Sequence, residues 1–462
     1  MSDDRYVPQD LIEVDDELMA DIGELIASKS DFLIKNILSD LHPADIAHII
    51  NRLEFGQGEY LFSLLGVEDQ SRVIVELDDD HREHFLASLK SDTLTDIVEE
   101  LPTDEATDLV ADLPREKAEE VLEELSAEDS SELQELLQYG EHTAGGLMQK
   151  EFITVNRKET VKKAVQAVRK AAKENPGEQI YAVYVVDDED VLVGSLSVSN
   201  LILLSPLKRI YKVMDADIIS VKTNVDQEEV ANIFKKYDIV SLPVTDFAGK
   251  IVGRITVDDI VDVITEEASE DILRLGGVAE DERVTTPPLQ SLRRRVPWLA
   301  VYLITGLITS SIVNLFHETI QSFVVLAALM PIVAGMGGNA GTQAITLMVR
   351  SIALGEIDMA AARKALIKEV TVGLLNGALV GFLAGTVIAV AYGNVMLGVV
   401  MCLAMITNLF IAGLMGTLIP LLLKWAKLDP ALASAVLVTT CTDAFGFISF
   451  LGFATLFLSL LV

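Results

Sequence analysis

Apolar positions follow three different rhythms along this chain, and each predicts its own kind of element. From residue 41 to 137 leucine returns every 12 positions: Leu41, Leu53, Leu65, Leu77, Leu89, Leu101, Leu113, Leu125 and Leu137. Pro102 and Pro114 follow two of them, and Thr103 to Pro114 reads as a short amphipathic helix opened by Thr and Asp and stopped by the next proline. Short helices at a fixed period predict a solenoid. A continuous coiled coil is excluded because 12 is not a heptad multiple and the prolines would break it.

Strand-like alternation takes over between residues 142 and 268. Tyr181 to Leu201 repeats 59 residues later as Val240 to Ile260, and Met148 to Val155 matches Met214 to Val221, each followed by a helical stretch and a pair of strands. The last third is built of uncharged runs, and about 20 apolar residues suffice to cross a bilayer as a helix. Val296 to Phe316 is one span; Thr319 to Val349 is a second, expected to be interrupted by Pro331 and a glycine cluster. Val370 to Leu423 holds two more with a turn at Tyr392-Gly393-Asn394, and Pro430 to Val462 is the fifth.

Charge sharpens this division. The chain of 462 residues carries 36 Lys plus Arg and 70 Asp plus Glu, yet half of it is hydrophobic. Residues 1–292 hold 27 basic against 64 acidic side chains, whereas 293–462 hold 9 against 6. The first part is an acidic body whose natural partners are cations; it would be repelled by phosphate backbones, so a nucleic-acid binder is excluded. Arg293 to Arg295, then Arg350, Arg363, Lys364 and Lys368, then Lys424 and Lys427 all fall on one side of the spans. The positive-inside rule therefore predicts a multi-pass protein of the inner or plasma membrane, amino terminus cytoplasmic and carboxyl terminus outside. Met1 to Leu25 has no apolar core of a signal peptide, and Cys402 and Cys441, both in apolar spans, support neither a disulfide framework nor a zinc site.

Asp443 is expected to be the sole ionisable group within a span, with Thr439, Thr440 and Thr442 nearby. Intramembrane carboxylates are functional by default; the bland alternative is a protonated packing carboxyl. Asn314, Asn339, Asn376 and Asn408 lie in other spans, where single amides often bond neighbouring helices. Gly335, Asn339 and Gln343 share one helical face and suit a polar path, although small-residue packing is the competing reading. Before the triple arginine, Asp262 to Val278 places Glu266, Glu267, Glu270 and Asp271 about one helical face, readable either as a solvated linker or as carboxylates at the membrane mouth.

The repeat in 142–261 resembles a tandem of cystathionine-beta-synthase (CBS) modules, each ending in Gly-x-x-Thr/Ser-x-x-Asp: Gly253, Thr256 and Asp259 in the second, Gly194, Ser197 and Asn200 in the first. The resemblance implies an adenosine nucleotide such as ATP held by Thr256 and Asp259; Asn200 departs from the pattern, and a nucleotide-free structural pair is the alternative.

The whole order resembles the MgtE family of magnesium channels, most specifically in GGNAGTQ (Gly337 to Gln343) and TTCTDAFGF (Thr439 to Phe447). The expected fold is multidomain: an all-α solenoid in 1–141, an α/β tandem CBS pair in 142–261, a linking or plug helix and linker in 262–290, and a five-helix transmembrane domain in 291–462. The resemblance implies a homodimer with its pore at the subunit interface, Asp443 recruiting hydrated Mg²⁺ and Asn339 lower on the same path. It further implies closure by Mg²⁺ bridging Asp104, Asp108, Asp226, Glu228, Asp238, Asp259, Asp262, Glu267, Glu270, Asp271 and Asp429. Asp259 is claimed by both the ribose and the metal readings.

The function expected is Mg²⁺ uptake through a channel gated by cytoplasmic Mg²⁺, without catalysis. The alternatives are a broader carrier for Co²⁺ or Ni²⁺, a counter-ion-coupled transporter, or a sensor without a pore. A membrane hydrolase is disfavoured: there is no His-Glu-x-x-His, and a two-Asp intramembrane protease would need a second intramembrane Asp beside Asp443.

Overall fold

The computed structural model describes residues 14–174, 179–279, 282–357 and 359–461. The reading of the extreme amino terminus as lacking a signal core falls largely on residues 1–13, and the end of the fifth expected span on 462; both lie outside the described residues. Two compact units result, Met1–Ile260 and Val261–Val462.

The first unit opens with ten short helices: α1 (Asp16–Ala27), α2 (Asp31–Leu38), α3 (Pro43–Ile50), α4 (Phe55–Ser63), α5 (Val67–Val75), α6 (Asp79–Ser88), α7 (Ser91–Glu99), α8 (Thr103–Asp112), α9 (Arg115–Glu124) and α10 (Ala127–Leu136). The repeated leucines fall between these helices or at a cap, and Leu77, Leu101, Leu113 and Leu125 are buried in one core that runs along the stack. No short helix could bury its apolar face alone, so stacking supplies the stability. Local chemistry sets the ends: Asp78 and Ser126 cap α6 and α10 by accepting backbone N–H groups. Lys117 on α9 donates to the carbonyls of Leu86, Ala87 and Leu89 at 2.9, 2.8 and 2.6 Å, closing the carboxyl end of α6 with a cation.

Two copies of one small α/β motif follow. The first holds β1 (Thr154–Asn156), α11 (Val161–Glu174), β2 (Ala182–Val186), β3 (Leu192–Ser197) and α12 (Val198–Leu203); the second holds β4 (Val221–Lys222), α13 (Gln227–Tyr237), β5 (Ser241–Thr245), β6 (Ile251–Thr256) and α14 (Val257–Leu275). In each sheet the first pair is parallel and the second antiparallel, with a register shift at Val185/Val186 and again at Val244/Thr245. Tyr184 Oη and Ser241 Oγ lie 2.7 Å apart and tie the two copies together. α14 is continuous through the expected junction at 261/262, so the last module helix and the linking helix are one element.

The second unit contains α15 (Pro288–Asn314), α16 (His317–Ser322), α17 (Val325–Ala353), α18 (Met359–Tyr392), α19 (Val395–Trp425), α20 (Pro430–Leu456) and α21 (Leu458–Leu461). Five of these are long and apolar enough to cross a membrane. The turn between α18 and α19 is the one expected: Gly393 takes φ +64° and Asn394 caps α19 by accepting from Leu397 N–H.

Two expectations are corrected here. α17 runs unbroken through Pro331 and the glycine cluster, because Gly337 and Gly341 are buried against α19 and α20 and that packing holds the helix together. Asp443 is also not the sole carboxylate in a membrane helix: α18 starts before the uncharged run and carries Glu369 buried. α18 and α19 approach most closely, since a Cβ at Gly373, Gly377, Gly381 or Gly385 would fall 2.5–2.8 Å from backbone atoms of α19. This is a small-xxx-small seam, in which missing side chains let backbones meet.

Candidate functional site

Within the membrane bundle polar groups stand on both α17 and α20. On α17, Asn339, Thr342, Gln343 and Thr346 are exposed in the protomer, while Val333, Gly337, Gly341 and Ala344 face inward. A helix this apolar has no reason to offer two amides to lipid, so that face requires a polar partner or water. On α20, Asp443 is half-buried and its neighbour Thr442 fully buried. The hydroxyls of Thr439, Thr440 and Thr442 each donate to a carbonyl one turn back, at 2.8, 2.7 and 3.0 Å. The oxygens of the half-buried Thr439 and Thr440 keep lone pairs for a further donor. α17 and α20 pack directly: a Cβ on Gly341 would lie 2.7 Å from Val438 Cγ1 and 3.6 Å from Thr442 Cγ2.

The second unit also gathers carboxylates around α14. Asp429 caps α20 by accepting from Ala431 N–H at 2.8 Å, and its other oxygen accepts from Arg274 at 2.5 Å; Arg274 also pairs with Glu270. Burial, then repulsion from Asp429 and Glu267, raises Asp271 to about 6, with Arg274 opposing the rise. Glu267, Glu270, Asp271 and Asp429 are thus brought together around a cation, Arg274, that sequence reasoning missed. The signal was available, since Arg274 follows Glu270 by four residues. Leu275 packs on a small core with Ile345, Ile419 and Val438, which anchors this end of α14. Asp262 is exposed on the same helix, away from that group.

In the first unit the start of α8 meets the α/β pair. Thr103 donates its N–H and hydroxyl to Glu151 at 3.2 and 2.8 Å, and Asp104 accepts from Gln149 Nε2 at 3.1 Å. Asp104 is buried, and burial followed by repulsion from Asp259 and Glu105 pushes its carboxyl well above the usual range. Glu105 and Asp108 are each raised to about 7; desolvation leads in both, joined by Asp259 at Glu105 and by Glu141 and Asp112 at Asp108. Asp108 sits at the solvent-accessible rim of this group, where water screens its charge more than that of the buried Asp104. Carboxylates held this close repel one another and are charged only at a cost. Among the described residues no arrangement of three or more carboxylate, imidazole or thiol groups already has metal-ligating geometry.

The remaining expected ligands are not gathered. Asp226 caps α13 and accepts from Glu228 N–H at 3.0 Å, whereas Asp238 ends the same helix at φ +50°. An 11-residue helix separates them by about 16 Å, so they cannot share one ion. Thr256 and Asp259 bond each other: the Thr256 N–H and hydroxyl donate to one carboxylate oxygen at 3.2 and 2.8 Å, a capping box at the start of α14. In the first copy Ser197 caps α12 by accepting from Asn200 N–H. The nucleotide motif thus has a local structural role in both copies. Sequence reasoning also missed Glu105, Gln149 and Arg254; Arg254 is buried and donates to Gln149 Oε1 at 3.1 and 2.8 Å.

Comparison with known proteins agrees with this layout. The MgtE intracellular N domain profile matches residues 41–142, the CBS domain profile 144–206 and 210–266, and the MgtE profile, described as a divalent cation transporter, 330–453. The magnesium transporter MgtE of Thermus thermophilus is 38% identical over 70% of this chain and 72% of its own length. That of Bacillus subtilis is 32% identical over 96% of this chain and 98% of its own. The crystal structure of the cytosolic domain of the Mg²⁺ channel MgtE in complex with ATP is similar at 31% identity, over 53% of this chain and 99% of that one, with a TM-score of 0.50. The match to the Bacillus protein runs through solenoid, CBS pair and all five long helices, and the chain belongs to the MgtE family of divalent cation transporters.

Proposed function

We propose that this protein is a magnesium-selective channel that admits Mg²⁺ and is closed by Mg²⁺ on its cytoplasmic side. The observation that carries the reading is the exposed polar face of α17, with Asn339 and Gln343, on a helix packed directly against α20, which carries the half-buried Asp443. Mg²⁺ dehydrates reluctantly, so its path needs few carboxylates and many groups that bond its water shell. A second copy of the chain, related by a twofold axis, would cover the polar face and bring a second Asp443 to the same path. We therefore favour a homodimer with the amino terminus inside and the carboxyl terminus outside.

In this reading residues 291–462 form the path, 262–290 the plug and linker, and 1–141 with 142–261 the sensor. The acidic group of Asp104, Glu105, Asp108 and Asp259 and the group around Asp429 are the places where Mg²⁺ would relieve repulsion. ATP at Thr256 and Asp259 is part of the proposal, by likeness to the ATP-bound cytosolic domain.

Asp443→Asn and Asp443→Ala test it. Both should lose Mg²⁺ flux in reconstituted vesicles, Asn by removing charge while keeping shape, with protein yield and dimer size unchanged. Parental flux in Asp443→Asn would overturn the role assigned to the charge.

A further inference from the structure

At the junction of α17, α19 and α20 one side chain is out of keeping with its surroundings. Asn408 on α19 is fully buried. Its Nδ2 donates to the carbonyl of Val333 on α17 at 2.8 Å, while its Oδ1 is buried with no hydrogen-bond partner among the described residues. The amide occupies room left by two glycines on different helices. A Cβ built on Gly337 would fall 2.3 Å from Nδ2, and one on Gly446 would fall 2.8 Å from the same atom. A leucine would fill comparable volume without leaving a buried acceptor unpaired, so filling space does not account for an amide here. What the amide adds is direction: a hydrogen bond that fixes α19 against one turn of α17, at a point where α20 can approach only because residue 446 has no side chain.

Both neighbouring helices carry the groups read above as ion-contacting. Gly446 is three residues, less than one turn, from Asp443; Gly337 is two residues from Asn339. Asn408 itself is fully buried, and its hydrogen bond goes to the Val333 carbonyl. We infer that Asn408 is a positioning residue, whose amide, seated between Gly337 and Gly446, sets the spacing of the α17 and α20 backbones and through it the separation of Asn339 from Asp443. This rests on the reading of Asp443 and Asn339 as lining the path. A spacing set by one amide would be felt in how tightly the hydrated ion is held and in which ion is preferred, because both depend on the distance between the two polar groups.

The test uses the full-length protein in vesicles, with four variants beside the parent: Asn408→Leu, Gly446→Ala, the double variant Asn408→Ala/Gly446→Ala, and Asp443→Asn. Measured are melting temperature, maximal Mg²⁺ flux, the Mg²⁺ concentration at half-maximal flux, and the ratio of Mg²⁺ to Mn²⁺ flux. Asn408→Leu should melt at or above the parental temperature, since it removes the orphaned acceptor, yet shift half-saturation or the ion ratio by at least about fivefold, as small misplacements of ion-contacting groups do. Gly446→Ala should shift the same quantities, because its methyl would displace the amide, and the double variant, which lacks the amide, should stay shifted by at least about fivefold.

Parental half-saturation and ion ratio in Asn408→Leu would overturn the inference. If Asn408→Leu does not fold, parental half-saturation and ion ratio in the double variant, which also lacks the amide, would overturn it instead. Parental flux in Asp443→Asn would sink the path reading beneath it. Loss of flux in Asp443→Asn with a parental Asn408→Leu removes only the positioning role.

Discussion

Arg274 is a counter-ion that the acidic face of α14 carries within its own helix. It pairs with Glu270 one turn back on α14 and with Asp429 at the start of α20, while holding down the raised carboxyl of Asp271. A tethered guanidinium costs nothing in dilution, but it carries one charge where Mg²⁺ carries two, so it can pin α14 only partly. Arg274→Met removes that built-in counter-ion. Without Mg²⁺ the segment 262–275 should exchange its amide hydrogens several-fold faster than in the parent, on the scale of the ~1 kcal/mol expected for a half-exposed pair. Millimolar Mg²⁺ should bring the two proteins together; equal exchange in Mg²⁺-free buffer would show that the pair contributes nothing. The acidic residues of this group were legible in the sequence as a helical face. The arginine was passed over because a lone cation in an acidic run reads as ordinary surface pairing, and only the fold brings Asp429, 155 residues away, to its side.

Among elements, the α18–α19 hairpin is the least forgiving. Gly377 lies where a Cβ would stand 2.7 Å from Ile406 Cα, so relief requires a backbone to move. Gly377→Leu should cost more than the ~1–3 kcal/mol typical of overpacking and show as a clear drop in the melting temperature of the detergent-solubilised protein. An unchanged melting temperature would contradict the seam. The turn at Gly393-Asn394 was readable because such residues have a mechanism in turns, whereas the glycine seam was hidden inside a run known only to be uncharged. The unbroken α17 misled for a related reason: proline and glycine weaken a helix in isolation, and its packing against α19 and α20 is invisible to local reasoning.

The docking of α8 gives the pH dependence. Glu105 and Asp108 sit near 7 in the folded unit and Asp104 is raised too, against ordinary carboxylate values of about 4 when unfolded or undocked. The folded state therefore binds protons more tightly. The docked arrangement is fully favoured below about pH 4 and loses that advantage as pH rises through about 7, with the partial exposure of Asp108 reducing its share. Between pH 6 and 8 in chelator, hydrogen exchange in 103–112 should accelerate, and millimolar Mg²⁺ should abolish the dependence. A rate that rises only with the chemical exchange rate itself would contradict it.

Over the whole molecule the division of labour follows from where charge resides. Residues 1–292 carry 64 acidic and 27 basic side chains, and 293–462 are nearly neutral, so the acidic body and the membrane helices occupy different stretches of one chain. That division, the solenoid, the doubled α/β motif and the five long helices were all legible, because each rests on a period or a run long enough to survive without tertiary information. The partners of Asp104 and the polar face of α17 as an exposed surface needed the fold. The central claim, a passive magnesium path closed from within by Mg²⁺, is tested most directly by Mg²⁺ uptake into liposomes containing only this purified protein, with no proton or sodium gradient. The account predicts uptake down the Mg²⁺ gradient that falls when millimolar Mg²⁺ bathes the cytoplasmic face; uptake that appears only when a proton or sodium gradient is imposed would contradict it.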